Sequence, residues 1–158
     1  MEPIKEFTIS LHCGCCPDVV QRQIDSLKPL SDKYKVHWNN RIDRYPYTYP
    51  SYSQLCNHAI ATSPTKFIIL INDRVTTNPA EIEKILHHMA NGYALSMLWN
   101  VALIGISKEL IRKIGWWDER YLLGGWEDRD LAWRCRAANY AIYESQETQY
   151  EYSWKSPL

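Results

Sequence analysis

The sequence has 158 residues, a length that suits one domain with a sizeable core. Hydrophobic residues make up 46% and charged residues 23%, a composition typical of a globular rather than a disordered chain. The formal net charge is zero, so no basic excess is available to bind a nucleic-acid backbone or an anionic membrane. The longest apolar run, 67–71, is too short to span a bilayer, and the first ten residues lack a signal-peptide core. We therefore expect one cytoplasmic domain over residues 1–158.

Strand and helix patterns alternate along the chain. Strands are predicted at 7–11, 34–38, 67–71, 93–98, 102–106 and near 142. Helices are predicted at 18–27, 51–62, 79–90, 108–114 and 127–138, with Asn78, Ser107 and Gly115 as end signals. The third strand is apolar throughout, as expected for a strand buried on both faces of a parallel sheet. The alternation predicts an α/β sandwich with a mainly parallel central sheet flanked by helices.

Two polar residues, Asn72 and Asp73, follow the apolar strand at its predicted carboxyl end. Ligands of open α/β sheets bind beyond the carboxyl ends of the strands. A carboxylate in this position can hold a hard divalent cation, and the cation can hold phosphates. Asn and Asp are also common turn residues, so an ordinary turn remains an alternative.

The stretch "GGWEDRDLAWRC" places three carboxylates, Glu127, Asp128 and Asp130, directly after two glycines and Trp126. Acidic residues in the first turn of a helix are favoured by its positive end, and Asp130 can pair with Arg134 one turn later. Three acids in four residues exceed what capping needs, because like charges repel. Paired carboxylates beside an aromatic platform can also bind a hydroxyl-rich acceptor and take its proton. Capping and catalysis both remain open at this point.

Cysteine and tyrosine residues form two further groups with open interpretations. The five cysteines are an odd number, which argues against a disulfide framework, and they lack two spaced pairs of zinc ligands. For the run of Cys13, Cys15 and Cys16 next to His12, small buried residues at a tight turn are favoured over a zinc-bound interaction domain. Four tyrosines can either stack on a sugar or base or pack a loop: Tyr45, Tyr47, Tyr49 and Tyr52.

Residues 104–143, "IGISKELIRKIGWWDERYLLGGWEDRDLAWRCRAANYAIY", resemble the second half of family 2 inverting glycosyltransferases with the GT-A fold. The counterparts of that family's motifs are "GWWDERY", then "EDRDL" with Arg134, then "NYAI". "GGWED" is also similar to the acceptor motif of β-1,4-galactosyltransferases. The earlier stretch "SYSQLCNHAIATSPTKFIILINDRVTTNP" resembles the family's Asn-bearing helix, strand and metal motif. The resemblance spans roughly residues 7–143 and implies a minimal-length, single-domain version of this Rossmann-like fold.

The resemblance also implies roles for individual residues. The last acid of the family's Asp-x-Asp metal motif matches Asp73, whereas Ile71 occupies the position of the first acid. Asp128 matches the catalytic base, with Glu127 beside it binding an acceptor hydroxyl. The implied donor-binding residues are Leu11, His12, Cys13, Asn57, Asn72, Asp73 and Arg74. The implied acceptor-binding residues are Trp117, Gly125, Trp126 and Glu127.

The implied activity is transfer of a sugar from a nucleotide diphosphate sugar, with a UDP-sugar favoured, to a glycan or small hydroxyl acceptor. Mn²⁺ or Mg²⁺ is the implied cofactor, held by Asp73. The alternative is a nucleotide-sugar or glycan binding module that has lost catalysis. Ile71 in the metal motif favours this alternative, as does the lack of any histidine after His88 to act as a late metal ligand.

Overall fold

The computed structural model describes residues 2–13, 17–42, 51–72, 75–98, 102–121 and 126–145; for residues 12, 13, 17 and 40–42 it describes the backbone only. The strands are β1 (Glu6–Cys13), β2 (Lys35–Ile42), β3 (Phe67–Asn72), β4 (Leu95–Leu98), β5 (Leu103–Ser107) and β6 (Ile142–Glu144). The helices are α1 (Pro17–Leu27), α2 (Tyr52–Thr62), α3 (Pro79–Ala90), α4 (Lys108–Ile114) and α5 (Glu127–Ala137), and a 3₁₀ turn (Lys28–Asp32) follows α1.

The six strands form one sheet in the order β2-β1-β3-β5-β4-β6. The pairings β1–β2, β1–β3 and β4–β6 are parallel, whereas β5 is antiparallel to both of its neighbours. The described strands therefore confirm the predicted α/β architecture with a mainly parallel sheet. The reversal of β5 was not predicted, because its run of buried residues has the same pattern in either direction.

Helices cover both faces of the sheet, and β3 contributes to both layers. Ile69 and Ile71 pack with buried residues of α1 and α3, while Ile68 and Leu70 pack with buried residues of α2, α4 and α5. All four side chains are at most 1% exposed. The apolar run in the sequence is thus a central strand buried on both faces, as predicted.

The predicted helix boundaries depend on capping residues that the structure places in these roles. Asn78 and Ser107 each accept a hydrogen bond from a backbone N–H in the first turn of the following helix. Gly115 ends α4 with a φ of 89°, a conformation that glycine adopts without steric cost. Ser51 and Gln54 form a reciprocal capping box at the start of α2.

Two strands are longer than predicted. β1 continues through His12 and Cys13, which were predicted to lie in a turn, because both pair with residues of β2. β2 in turn continues through Arg41 and Ile42, beyond its predicted end at residue 38. Pairing with a neighbouring strand extends both elements beyond their local hydrophobic pattern.

β1, β3 and β4 end at one edge of the sheet, here called the carboxyl edge. The register shows this directly, since Leu11 pairs with Ile71, Ile71 with Leu103, and Leu103 with Leu98. α2 and α5 each end just before a strand begins at the opposite edge, and each is about 16 Å long. Their first turns therefore lie toward the carboxyl edge.

No helix in the described ranges combines the length and the apolar composition needed to cross a bilayer.

Candidate active site

The three carboxylates at the start of α5 have different surroundings. Glu127 is 4% exposed, and its Oε2 accepts a hydrogen bond from the backbone N–H of Trp126 at 2.9 Å. Asp130 Oδ2 accepts from Arg134 Nε at 2.9 Å and from Arg134 Nη2 at 2.7 Å. Capping and ion pairing thus account for Glu127 and Asp130, as the structural alternative predicted. They do not account for Asp128.

Asp128 is half-buried, and its Oδ1 is buried without a hydrogen-bond partner among the described residues. Burial raises the pKa of Asp128 to about 7, because removal of water disfavours the charged form. The neighbouring Glu127 carboxylate raises this pKa further by charge repulsion, while the Trp117 indole N–H lowers it. A carboxyl with this pKa is about half ionised at neutral pH.

Trp117 forms the wall beside this carboxyl. Its side chain is 2% exposed, and its Nε1 is buried without a hydrogen-bond partner among the described residues. The indole N–H is near enough to Asp128 to lower its pKa, yet it does not complete a hydrogen bond with Oδ1. At this exposure the indole offers no open face to a sugar ring.

α2 brings Tyr52 and Cys56, which lie one helical turn apart, within electrostatic range of Asp128. The Tyr52 hydroxyl and the Cys56 side chain are buried. Burial raises the pKa of both groups well above their usual values, and the charges of Asp128 and Glu127 raise them further. Both side chains therefore stay neutral at physiological pH and add no charge next to Asp128.

Asn57 connects α2 to the segment that carries Trp117. Its Oδ1 accepts from the Trp117 backbone N–H at 3.0 Å, and its Nδ2 donates to the Trp117 carbonyl oxygen at 2.9 Å. Nδ2 also donates to Glu119 Oε1 at 2.8 Å. These bonds use the amide oxygen once and the amide nitrogen twice, and they fix Trp117 relative to α2. Asn57, which was predicted to bind the donor, thus forms these hydrogen bonds within the protein itself.

Trp126 is the exposed aromatic residue of the site, with 62% of its surface accessible. The Arg129 guanidinium lies 5.4 Å from the centre of its ring, within range of a cation–π interaction. The exposure shows that Arg129 leaves much of the indole open.

Four of the predicted donor residues lie at the ends of β1 and β3, on the carboxyl edge: Leu11, His12, Cys13 and Asn72. Leu11 packs into the α1–α3 layer with 4% exposure, so only its backbone can face a ligand. His12 and Cys13 are described by their backbone alone, which pairs with β2. Asn72 pairs with His12, and its side chain is half-buried. Asp73, Arg74 and Gly125 lie outside the described ranges, as do Tyr45, Tyr47 and Tyr49.

The predicted metal site can be examined only in part. Within the described ranges, no three His, Cys, Asp or Glu side chains converge as metal ligands do. Asn72 is the one predicted participant that is described, and it supplies a single amide oxygen of the kind that hard cations accept. The carboxylate that would supply the charge, Asp73, is outside those ranges.

The sequence identified Asp128 but not the groups that surround it. Tyr52 was interpreted as a stacking or packing residue, and no role was predicted for Cys56, which is buried. Their spacing of four residues on a predicted helix puts them on one face. No local pattern shows that this face covers the first turn of a helix 70 residues further along the chain.

No protein-family model matches the sequence, and no curated protein matches it. Among solved structures, the fold is similar to that of Drosophila β1,4-galactosyltransferase 7 in complex with manganese, UDP-Gal and xylobiose. The TM-score is 0.68 at 9% identity, over 96% of this chain and 72% of that chain. Glucosyl-3-phosphoglycerate synthase from Mycobacterium tuberculosis, in complex with Mn²⁺, UDP and phosphoglyceric acid, gives 0.58 at 12% identity, over 89% and 68%. S. aureus TarS gives 0.56 at 8% identity, over 93% and 59%. These similarities confirm the GT-A-like fold.

Proposed function

We propose that the protein is an inverting glycosyltransferase that uses a nucleotide diphosphate sugar, with Asp128 as the general base. The observation that carries this proposal is the half-buried Asp128 carboxyl at the carboxyl edge, with a pKa of about 7 and no hydrogen-bond partner for Oδ1 among the described residues. A structural acid at a helix start is expected to be paired, as Asp130 is. An acid that remains unpaired and has a raised pKa is typical of a catalytic group.

The raised pKa suits the chemistry of base catalysis. A general base works best when its pKa lies near the operating pH, because it is then ionised often enough and still basic enough to take a proton. In the proposed step, the acceptor hydroxyl gives its proton to Asp128 as its oxygen bonds to the anomeric carbon. The bond from that carbon to the diphosphate breaks on the opposite side, and the diphosphate leaves with the electron pair. Tyr52 and Cys56 keep water from the buried side of the carboxyl.

The acceptor is proposed to lie between Trp126 and the start of α5. Trp126 offers an open indole face for the apolar side of a sugar ring. Glu127 is proposed to accept a hydrogen bond from a second hydroxyl, and Gly125 to allow close approach. Trp117 contributes by holding the Asp128 side of this space, since its own ring is covered.

The donor is proposed to lie across the ends of β1 and β3, with a UDP-sugar favoured. Leu11, His12 and Cys13 would offer backbone groups to the base, and Asn72 and Arg74 would lie near the diphosphate. Asn57 would act on this side through the segment it fixes. Asp73 is proposed to hold Mn²⁺ or Mg²⁺, with Asn72 as a neighbouring oxygen donor. Such an ion, when bound, offsets negative charge on a departing diphosphate.

A second candidate is a nucleotide-sugar or glycan binding module without catalysis. It is favoured by Ile71, which occupies the place of the first metal-binding acid and is 1% exposed in the core. This side chain cannot serve as a ligand, so any metal site here has fewer carboxylates than the family motif. The binding module would bind a donor or a glycan without releasing diphosphate.

The experiment that tests the proposal measures nucleoside diphosphate release from a panel of nucleotide sugars, with and without manganese, in the presence of simple sugar acceptors. The proposal expects acceptor-stimulated, metal-dependent release from one donor. If a chelator leaves diphosphate release unchanged, Asp73 has no metal-binding role in the reaction, but the protein is still a transferase. Donor binding by calorimetry without any release would establish the binding module instead.

A further inference from the structure

Two tryptophans and two arginines lie in a row along the outer face of α5 and its N-cap position. Trp126, Arg129, Trp133 and Arg136, here called the α5 ridge, follow one another at spacings of three, four and three residues. These spacings place successive side chains on one side of a helix. Trp126 is 62% exposed and Trp133 is 67% exposed, more than any other large hydrophobic residue in the described ranges.

The ridge is not part of the core. α5 buries Leu131, Ala132 and Cys135 on its opposite side, against α2, α4 and the sheet. The packing of α5 therefore needs neither tryptophan. Two large indoles kept in water on one helix face indicate a binding surface, because exposed apolar groups that cluster usually have a ligand.

The charge of the ridge is positive. Arg129 stacks over Trp126 and has no carboxylate partner among the described residues. Arg136 pairs with Glu144, an exposed contact that a stronger anion can replace. Asp130, an acid in the first turn of the same helix, is already bound by Arg134. The surface thus combines flat aromatic faces with one uncompensated cation, in a protein whose net charge is zero.

We propose that the α5 ridge binds an anionic oligosaccharide chain whose end reaches Asp128. The inference rests on the proposed function, since that chain is then the acceptor of the transferase. Trp126 and Trp133 are seven residues apart, about 10 Å along the helix, so one sugar ring cannot cover both. Sugar rings would stack on the two indoles, and Arg129 would pair with a carboxylate, sulfate or phosphate of the chain between them.

The test measures binding by calorimetry and needs no turnover. The probes are β-1,4-linked mannuronate and β-1,4-linked mannose, each as a disaccharide and a hexasaccharide. The two series have the same ring and linkage and differ only in the carboxylate. We expect the mannuronate hexasaccharide to bind most tightly, and its binding to weaken at high salt because the pairing with Arg129 is exposed.

Variants locate the binding on the ridge. Trp133→Ala should weaken binding of the mannuronate hexasaccharide about tenfold and leave the disaccharide unchanged, while Trp133→Phe should retain most of the affinity. Arg129→Ala should remove the preference for mannuronate over mannose. Arg112→Ala is the matched control, because it removes an exposed arginine of α4 that lies outside the ridge.

Three outcomes would overturn the inference: no binding of the mannuronate hexasaccharide, equal affinity in wild type and Trp133→Ala, or a dimer in sedimentation that Trp133→Ala dissociates. The diphosphate-release assay separates this failure from failure of the proposed function. If diphosphate is released but the ridge variants do not change oligosaccharide binding, the transferase proposal stands and the proposal of an anionic acceptor fails. If oligosaccharide binding depends on the ridge but no diphosphate is released, the binding surface stands and the transferase proposal fails.

Discussion

The pKa of Asp128 is raised first by burial and second by the charge of Glu127. A substitution of similar size can remove that charge without changing the packing of the site. In Glu127→Gln, the pKa of Asp128 should fall because the like charge is gone. The pH profile of kcat/KM should rise to a plateau with an inflection near 7 in the wild type, because Asp128 must be ionised. Glu127→Gln should shift that inflection to lower pH.

The control for this shift is Asp130→Asn. Asp130 belongs to the same helical turn, but it does not contribute to the pKa of Asp128. Its profile should therefore keep the wild-type inflection. An inflection near 4 in the wild type, or equal shifts in both variants, would contradict the assignment of the profile to Asp128.

Asp128 should also make the protein less stable at alkaline pH. Its pKa is about 7 in the folded state and about 3.9 when unfolded, so the folded state binds the proton more tightly. The contribution of Asp128 to the free energy of unfolding is fully present below pH 4. It falls as the pH rises to 7 and is absent above that pH. Asp128→Asn should therefore raise the free energy of unfolding at pH 8 by on the order of 2 to 4 kcal/mol.

Urea unfolding at pH 8 and pH 4 measures this effect, which should disappear at the lower pH. A residue that only stabilises the helix start would behave in the opposite way, and its substitution would lower the stability at pH 8. Activity lost together with stability gained is the combination expected of a catalytic group.

At the residue scale, the sequence identified which acid is special but could not show why. The glycines, Trp126 and the paired acids indicate Asp128 through a family resemblance. The pKa of about 7 arises mainly from burial of the carboxyl, which exists only after the chain has folded. Local sequence contains no measure of this burial.

At the scale of elements, Asn57 is the link between α2 and the segment before α5. Asn57→Ala would leave the buried N–H and C=O of Trp117 without partners. We expect a loss of about 2 to 4 kcal/mol in the free energy of unfolding, since each buried unsatisfied backbone group costs about 1 to 3 kcal/mol. Chemical denaturation measures the change.

The matched control is Gln21→Ala, which removes an exposed amide that donates a hydrogen bond to Asp25. It should change stability by less than about 0.5 kcal/mol. If Asn57 binds the donor directly, as the sequence predicted, then Asn57→Ala would instead weaken donor binding while leaving the unfolding free energy nearly unchanged.

β5 and α3 are packed so closely that only glycine fits at position 105. A Cβ added to Gly105 would lie 2.2 Å from Ile85 Cγ2 and 2.9 Å from Met89 Sδ. Gly105→Ala should therefore destabilise the fold by roughly 1 to 3 kcal/mol through overpacking. In the double variant Gly105→Ala/Ile85→Ala the clash is removed. Its loss in the free energy of unfolding should therefore be smaller than the sum of the losses in the two single variants. Strict additivity in denaturation would contradict this contact.

The order and type of the elements could be predicted from the sequence because caps and apolar stripes are local. Asn78, Ser107 and Gly115 fixed helix ends correctly. The reversed direction of β5 and the full lengths of β1 and β2 could not be predicted, because they depend on pairing between strands distant in the chain. The contact between Gly105 and α3 is of the same kind.

At the scale of the whole molecule, the site forms because α2 and α5 both begin at the edge where β1, β3 and β4 end. The GT-A-like fold followed from the alternating pattern together with a resemblance spread over residues 7–143, and the structural similarities support it at 8 to 12% identity. The donor, the acceptor and the metal do not follow from the fold, since one fold hosts many activities.

The central claim is that Asp128 takes the proton of the acceptor, and the most direct test compares Asp128→Asn with Asp130→Asn for both sugar transfer and donor affinity. We expect Asp128→Asn to lose about 10²- to 10⁴-fold in transfer rate while its donor dissociation constant stays near that of the wild type. Asp130→Asn should retain most of its transfer rate. Transfer by Asp128→Asn at the wild-type rate would contradict the account.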